Sequence, residues 1–461
     1  MRKLFGTDGI RAVAGEAPLD GRTIHAAGLA LARRLGAAGG PVRVVLGMDT
    51  RESGPWIAST LIGGLREGGA EVAFAGVITT PAIAFLARKH GFSAGVVISA
   101  SHNPWQDNGI KVFGGDGYKL PDDVELAIEG EIERVLENGC GNGGKKQILR
   151  SAQDDSSCDG LPEVNEEFRR EYVQFLLEAV PGISLDNRCV VIDCANGAAS
   201  AIAPQLFDSL KGTVEVTHAS PDGRNINANC GALHPEVVAR KVKQRGAALG
   251  FTFDGDADRA LFADEHGNVV NGDAVMLACA RDLQACGELA GDVVVATTMS
   301  NMGFEAALKR SGISMLRAPV GDKYVLEEMR KSGASLGGEQ SGHILFPARA
   351  TTGDGLLTAL VVLDVVHRSG KTLSELVADL ETYPQVIVNV KVREKRPLDS
   401  IPSVALAIRA AEDELRDSGR VVIRYSGTEA LARVMIEAES EAAMRRLADM
   451  IADAIRAELG V

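Results

Sequence analysis

Ala94-Gly95-Val96-Val97-Ile98 runs directly into Ser99-Ala100-Ser101-His102-Asn103-Pro104, and Asp107-Asn108-Gly109-Ile110-Lys111 follows closely. The first five residues form an apolar run of strand length, which reads as a short buried strand. Pro104 bars simple helical continuation and pushes Asn103 towards an extended conformation. Ser101 is therefore expected on a strand-to-loop exit. A hydroxyl in that place, flanked by an imidazole and an amide and followed by a lysine, has the exposure, donors and nearby base that a phosphoryl-accepting nucleophile requires. Ser, Asn and Pro also make ordinary turns, so the stretch alone leaves both readings open.

The surrounding sequence repeats the strand-then-helix rhythm. Residues 42–47 and 72–74 read as strands and 22–35 and 56–68 as helices, the pattern of a mostly parallel sheet covered by helices. Gly6-Thr7-Asp8-Gly9-Ile10-Arg11 reads as a turn-rich edge, and Asp49-Thr50-Arg51-Glu52-Ser53-Gly54 as a structural loop with a helix N-cap. Residues 138–163 are rich in Gly, Asn, Asp and Ser and hold little that could form a core, so a flexible insertion is expected there. A second series starts near Phe168, with strands at Cys189–Asp193 and 248–253; a third has a strand at Val293–Thr297 and helices at 303–310 and 356–366. After Tyr383-Pro384 come strands 386–392 and 421–423 and helices 403–416 and 441–458, enough for one small α+β domain. The expected domains are 1–164, 165–262, 263–380 and 381–461.

Four further loops carry chemistry. Asp254-Gly255-Asp256-Ala257-Asp258-Arg259 follows a strand and places three carboxylates at alternate positions of a tight loop, where they repel unless a hard cation joins them. Glu265 falls at the twelfth position of a calcium EF-hand, but Arg259 stands where that loop needs Gly, and a strand precedes where a helix should; magnesium fits better. In Gly337-Gly338-Glu339-Gln340-Ser341-Gly342-His343, glycines flank polar side chains suited to sugar hydroxyls. Thr351-Thr352-Gly353-Asp354-Gly355 enters the apolar helix with capping chemistry. Finally, Arg424-Tyr425-Ser426-Gly427-Thr428-Glu429, with Arg433 beyond, could cradle a phosphate that does not itself react.

Composition narrows the classes. The chain has 461 residues, enough for three or four domains, and a formal charge of −13, which opposes broad nucleic-acid binding. No apolar run is long enough to span a bilayer, and the start lacks a signal-like apolar segment, so a cytoplasmic protein is expected. Seven scattered cysteines without paired C-x-x-C spacing suit reduced thiols better than disulfides or a zinc site.

Five loops, in order and spacing, resemble those of the α-D-phosphohexomutase family over nearly the whole chain: Lys3 to Arg11, Ile98 to Lys111, Asp254 to Arg259, Gly338 to His343 and Thr351 to Leu357. The resemblance implies a four-domain α/β enzyme, with three similar mixed-sheet α/β domains and a small C-terminal α+β lid that binds phosphate. It implies that Ser101 is a phosphoserine, that Asp254, Asp256 and Asp258 hold one Mg2+ per subunit together with a phosphoryl oxygen on Ser101, and that Lys111 is a general acid/base. His102 flanks the reacting serine, and Arg11 and His343 lie beside the reacting oxygen. Glu339 and Ser341 would hold sugar hydroxyls, and Arg424, Ser426, Gly427, Thr428 and Arg433 the remote phosphate. The expected reaction interconverts glucosamine 6-phosphate and glucosamine 1-phosphate, Gln340 favouring the hexosamine branch over mannose or glucose phosphates. A sugar bisphosphate would act as intermediate and activator, a phosphohexosamine as substrate, and a monomer or homodimer would suffice. A regulator with a dead site and a magnesium phosphatase are the readings from other classes. The intact Ser101, Lys111 and Asp residues oppose the first, and a phosphatase would not need the second phosphate cradle. Ala12, Tyr425, Ala430 and the long 138–163 stretch depart from the family pattern without removing a catalytic group.

Overall fold

The computed structural model describes residues 4–6, 8–37, 39–138, 160–426 and 430–461. Most of the expected flexible insertion therefore lies outside the described residues, as do Gly427 and Thr428. The chain divides into two compact units, Met1–Thr297 with Ala318–Ala378, and Thr298–Arg317 with Asp379–Val461.

In the first unit a six-stranded sheet runs in the order Phe5–Gly6, Gly9–Val13, Asp107–Gly114, Ala94–Ile98, Arg43–Met48, Glu71–Val77. Ala94–Ile98 is buried along its whole length, as a strand covered on both faces must be. Its Val96 and Ile98 share one core with Leu46, with Ile24 and Leu31 of the helix Gly21–Gly36, and with Ile57 and Leu61 of the helix Gly54–Glu67. Each such side chain contributes roughly 1.5–3 kcal/mol on full burial. Asp20 caps the first helix by accepting from the backbone of Arg22 and Thr23.

The sheet is mixed. Ala94–Ile98 lies parallel to Arg43–Met48 but antiparallel to Asp107–Gly114, and Gly9–Val13 pairs antiparallel with the latter, Arg11 opposite Gly109. The stretch read as a turn-rich edge is thus a two-strand hairpin, and Lys111 lies within a strand rather than on a loop. Neither segment has enough alternation to announce itself; long-range pairing makes them strands.

The same arrangement recurs twice in this unit. Leu249–Phe253 lies parallel to Cys189–Asp193, and after the loop at 254–259 the chain returns antiparallel as Ala260–Ala263. Gly337–Gly338 lies parallel to Val293–Thr297, and after the loop at 339–343 it returns antiparallel as Ile344–Leu345. Three sheets therefore each deliver one loop from the carboxyl end of a strand that leaves parallel and comes back antiparallel. Asp354 caps the buried helix Gly355–Ser369 by accepting from Leu357 N, bearing out the capping reading.

The second unit holds a three-stranded antiparallel sheet, Gln385–Lys391, Leu431–Ala438, Gly419–Tyr425, with the helices Pro402–Leu415 and Glu441–Leu459. Val390, Val434 and Ile436 of the sheet share a core with Leu447, Ile451 and Ile455 of the last helix. The helix Met302–Arg310 belongs to this unit: Glu437, fully buried, accepts from Met302 N and pairs with Arg420 at 2.6 Å, and Arg420 donates to the carbonyls of Thr298 and Ser300.

Candidate active site

Ser101 follows the buried strand at once and adopts φ 54°, a left-handed conformation uncommon for a side-chain-bearing residue. Such a conformation costs on the order of 1–3 kcal/mol and persists where its surroundings over-determine it. Those surroundings are dense, and only 1% of Ser101 is exposed, so the exposure expected of a strand-end hydroxyl is not found. Its N–H donates to Ser99 Oγ at 2.9 Å, and its carbonyl accepts from Arg51 Nη2 and Asn227 Nδ2, each at 2.9 Å. The hydroxyl donates to Asp254 Oδ2 at 2.5 Å and lies 3.2 Å from His102 Nδ1. Gly255 lets the two loops meet: a Cβ there would stand 2.5 Å from the Ser101 carbonyl oxygen.

Asp254, Asp256 and Asp258 each offer an oxygen within 4.8 Å of the others. Asp254 and Asp256 are fully buried and Asp258 nearly so. Burial, then the charges of Asp258 and Asp256, push the Asp254 carboxyl well above its usual range. Asp256 Oδ1 and Asp258 Oδ1 are buried without a hydrogen-bond partner. Carboxylates so placed, with oxygens unspent, fit a hard cation.

Cations surround the other side of this cluster. Lys111 Nζ reaches Asp256 at 2.7 Å, Asp8 at 3.1 Å and Asp258 at 3.4 Å. Burial works against the ammonium, yet these three carboxylates outweigh it and hold Lys111 protonated. Arg11 pairs with Asp8, which also takes Lys119 at 2.5 Å. His343 Nδ1 stands 3.6 Å from Asp258 and Nε2 3.5 Å from Asp322; burial opposes its charge, but those carboxylates raise its pKa. Burial, followed by Arg259 and Arg11, lowers the His102 pKa to about 4, so this imidazole is neutral at pH 7.

Glu339 and Ser341 join the set from the third hairpin, Ser341 Oγ donating to Glu339 Oε2 at 3.1 Å and Gly321 N to Oε1 at 3.0 Å. The structure thus brings Ser101, His102, Lys111, Arg11, the three Asp residues, Glu339, Ser341 and His343 into one unit. Sequence reasoning missed Asp8, Lys119, Asp322 and Arg259, which complete its charge balance. It also took 49–54 for a helix cap. Ser53 makes no side-chain capping bond and instead accepts from Asn108 Nδ2 at 2.8 Å, while Asp49 and Arg51 face the serine loop. The usable signal was positional: charges directly after a parallel strand, where α/β sheets place their ligand loops.

Arg424 and Arg433 lie on neighbouring antiparallel strands of the second unit, and Ser426 directly follows the first of these strands. Arg424 and Arg433 are directly opposed in the ladder, a placement that like charges disfavour unless an anion lies between them. Ser426 is buried and its N–H donates to Leu431 O at 2.8 Å, closing the hairpin end.

Known proteins share this fold. The chain matches the models of phosphoglucomutase/phosphomannomutase α/β/α domains I, II and III at residues 2–138, 170–267 and 271–383, and of the C-terminal domain at 387–454. A protein of Koribacter versatilis (strain Ellin345) named phosphoglucosamine mutase is 59% identical, covering 100% of this chain and 98% of its own. A crystal structure of a phosphoglucomutase/phosphomannomutase family protein from Burkholderia thailandensis superposes with TM-score 0.78 at 25% identity, covering 99% of both chains. The fold is also that of Aspergillus fumigatus N-acetylphosphoglucosamine mutase, solved with GlcNAc-6P and magnesium, with TM-score 0.69 at 19% identity over 99% of this chain and 96% of that one. With all four domain models matched in order along the chain and a relative 59% identical over its whole length, the chain belongs to the phosphoglucomutase/phosphomannomutase family.

Proposed function

We propose that this protein is a phosphosugar mutase that interconverts glucosamine 6-phosphate and glucosamine 1-phosphate through a phosphorylated Ser101 and a sugar bisphosphate. The observation that carries the reading is the Ser101 hydroxyl hydrogen-bonded to one member of a buried aspartate triad. The opposed pair Arg424 and Arg433, which suits an unreacting phosphate, supports a substrate phosphorylated at one end while the other reacts. The relatives named phosphoglucosamine mutase favour glucosamine over the mannose and glucose phosphates of the wider family.

Asp254, Asp256 and Asp258 are the residues that would hold Mg2+, which when bound neutralises charge on the phosphoryl oxygens. The protein supplies the rest. A sugar hydroxyl oxygen forms the new bond to phosphorus as the bond to Ser101 Oγ breaks, its electron pair staying on Oγ. Transfer of this kind is governed by positioning and charge neutralisation. Lys111 and Arg11 place positive charge there, Lys111 is the proton donor to a departing oxygen with His343 beside it, and neutral His102 is an acceptor. Glu339 and Ser341 hold sugar hydroxyls. The bisphosphate then presents its other phosphate to Ser101, and the arginine pair takes the new end. For domain organisation we favour 1–164, 165–262, 263–380 and 381–461.

The test is a magnesium-dependent assay with glucosamine, mannose and glucose phosphates side by side, primed with a trace of sugar bisphosphate. Glucosamine phosphate turns over fastest; brisk mannose phosphate turnover with none for glucosamine phosphate overturns the substrate assignment.

A further inference from the structure

Both backbone polar groups of Ser101 are tied to one buried carboxylate. Asp49 Oδ2 accepts from Ser99 Oγ at 2.7 Å, and that hydroxyl accepts from Ser101 N at 2.9 Å. The same Asp49 oxygen accepts from Arg51 Nε at 2.9 Å, and Arg51 Nη2 donates to the Ser101 carbonyl. Arg51 and Asp49 have fully buried side chains. The guanidinium spends its remaining donors on the same loop: Nη2 also reaches Asn103 O, and Nη1 reaches Pro104 O and Asp107 O. Four carbonyls of one turn thus point at one planar cation. Only arginine offers five donors in a fixed fork, so lysine could not satisfy them together.

Asn227 holds the turn from another element. Its Nδ2 donates to Ser101 O at 2.9 Å and to Asn103 O at 3.2 Å, two of the carbonyls that Arg51 takes. Its own backbone is fixed by the bond from its N–H to Ala195 O. The Ser101 carbonyl therefore accepts from a residue of the first sheet's loops and from one in the segment that precedes Leu249–Phe253. In a left-handed residue the direction of the carbonyl and the direction of Cβ are set by the same φ and ψ, so fixing one aims the other. Here the aim is the Asp254 carboxylate, 2.5 Å from Oγ.

We infer that Arg51 and Asn227 are positioning residues for phosphoryl transfer: through the Ser101 carbonyl they hold the serine oxygen in line with the aspartate triad. The inference rests on the reading of Ser101 as the group that carries the phosphoryl. Neither side chain's hydrogen bonds go to the Ser101 hydroxyl, so their loss slows transfer without weakening the hold on sugar or remote phosphate. Misplacement of a reacting atom by about 1 Å is enough to cost on the order of a hundredfold in rate.

The experiment follows labelling of Ser101 by radiolabelled glucose 1,6-bisphosphate in a single turnover of the full-length protein with Mg2+, beside steady-state kcat and KM for glucosamine 6-phosphate. Asn227→Ala is expected to slow labelling and kcat together, by about tenfold or more, with KM within about twofold. Asn227→Asp, which sets an acceptor against two carbonyl oxygens, slows both further, an order that side-chain volume alone does not produce. Arg51→Lys slows both by about a hundredfold; should that variant not fold, the Asn227 pair decides. Ser101→Ala runs in parallel. Labelling of Ser101→Ala at the parental rate overturns the nucleophile reading itself. An unlabelled Ser101→Ala beside folded Asn227 variants that label at the parental rate, or that change KM alone, overturns the positioning role and leaves the nucleophile standing.

Discussion

The loop around Ser101 and the hairpin end around Arg424, to which we assign the reacting and the anchoring phosphate, are built in opposite ways. Ser101 is 1% exposed, strained, and bonded at its N–H, carbonyl and hydroxyl within the protein. Arg424 is exposed and directly opposes another arginine. The first arrangement is already spent on fixing one geometry, as a group whose transition state must be met without reorganisation requires. The second presents positive charge at the surface through Arg424, as would suit a group that must grip either end of a turning substrate and release it. On the proposed assignment, rigidity marks the reacting phosphate and accessible charge the anchoring one.

The sharpest way to break that contrast is Ser101→Ala. Removing the nucleophile should lower kcat by on the order of a thousandfold or more; a variant keeping a tenth of parental turnover in the mutase assay would make the buried loop a scaffold only. Next comes the triad. Chelation of the metal, or Asp256→Asn, should lower kcat by roughly a hundred- to a thousandfold with KM changed little, and Mg2+ should restore the chelated parent but not the variant. Recovery of Asp256→Asn by added Mg2+ would remove Asp256 from the ligand set.

The smallest effect belongs to the anchor and sharpens the contrast most. Arg424→Ala should raise KM about tenfold while kcat stays within about twofold, since the remote phosphate is held alike in ground and transition states. Its stability should stay within about 0.5 kcal/mol of the parent by thermal or urea unfolding, because removing one of two opposed like charges costs the hairpin little. An equal fall in kcat would mean that the anchor aligns the reacting end, and the division of labour would fail.

Legibility in the sequence followed the range of the interactions. Ala94–Ile98, Cys189–Asp193 and Val293–Thr297 were readable to the residue, because an apolar run bounded by polar loops is a local signal. The metal loop was readable because alternate aspartates repel within a few residues. Gly9–Val13 overlaps a stretch that looked like a turn, and Asp107–Gly114 was not read as a strand, since their strand character comes from pairing with each other and with Ala94–Ile98. Asp8, Lys119 and Asp322 had no visible role, because each enters ion pairs with residues distant in the chain, as Lys119 does with Asp322 at 2.6 Å.

By itself the sequence determined which groups can do chemistry: a strand-end serine, a lysine, three alternating carboxylates, a glycine-flanked polar loop and a basic hairpin end. These depend on residue type and near spacing, which the chain carries locally. Only the tertiary structure decided how the serine is aimed. Arg51 and Asn227 reach one carbonyl from positions 50 and 126 residues away in sequence, and no local pattern encodes that convergence. It arises when sheet pairing brings separate strand ends together and leaves buried carbonyls that must find donors.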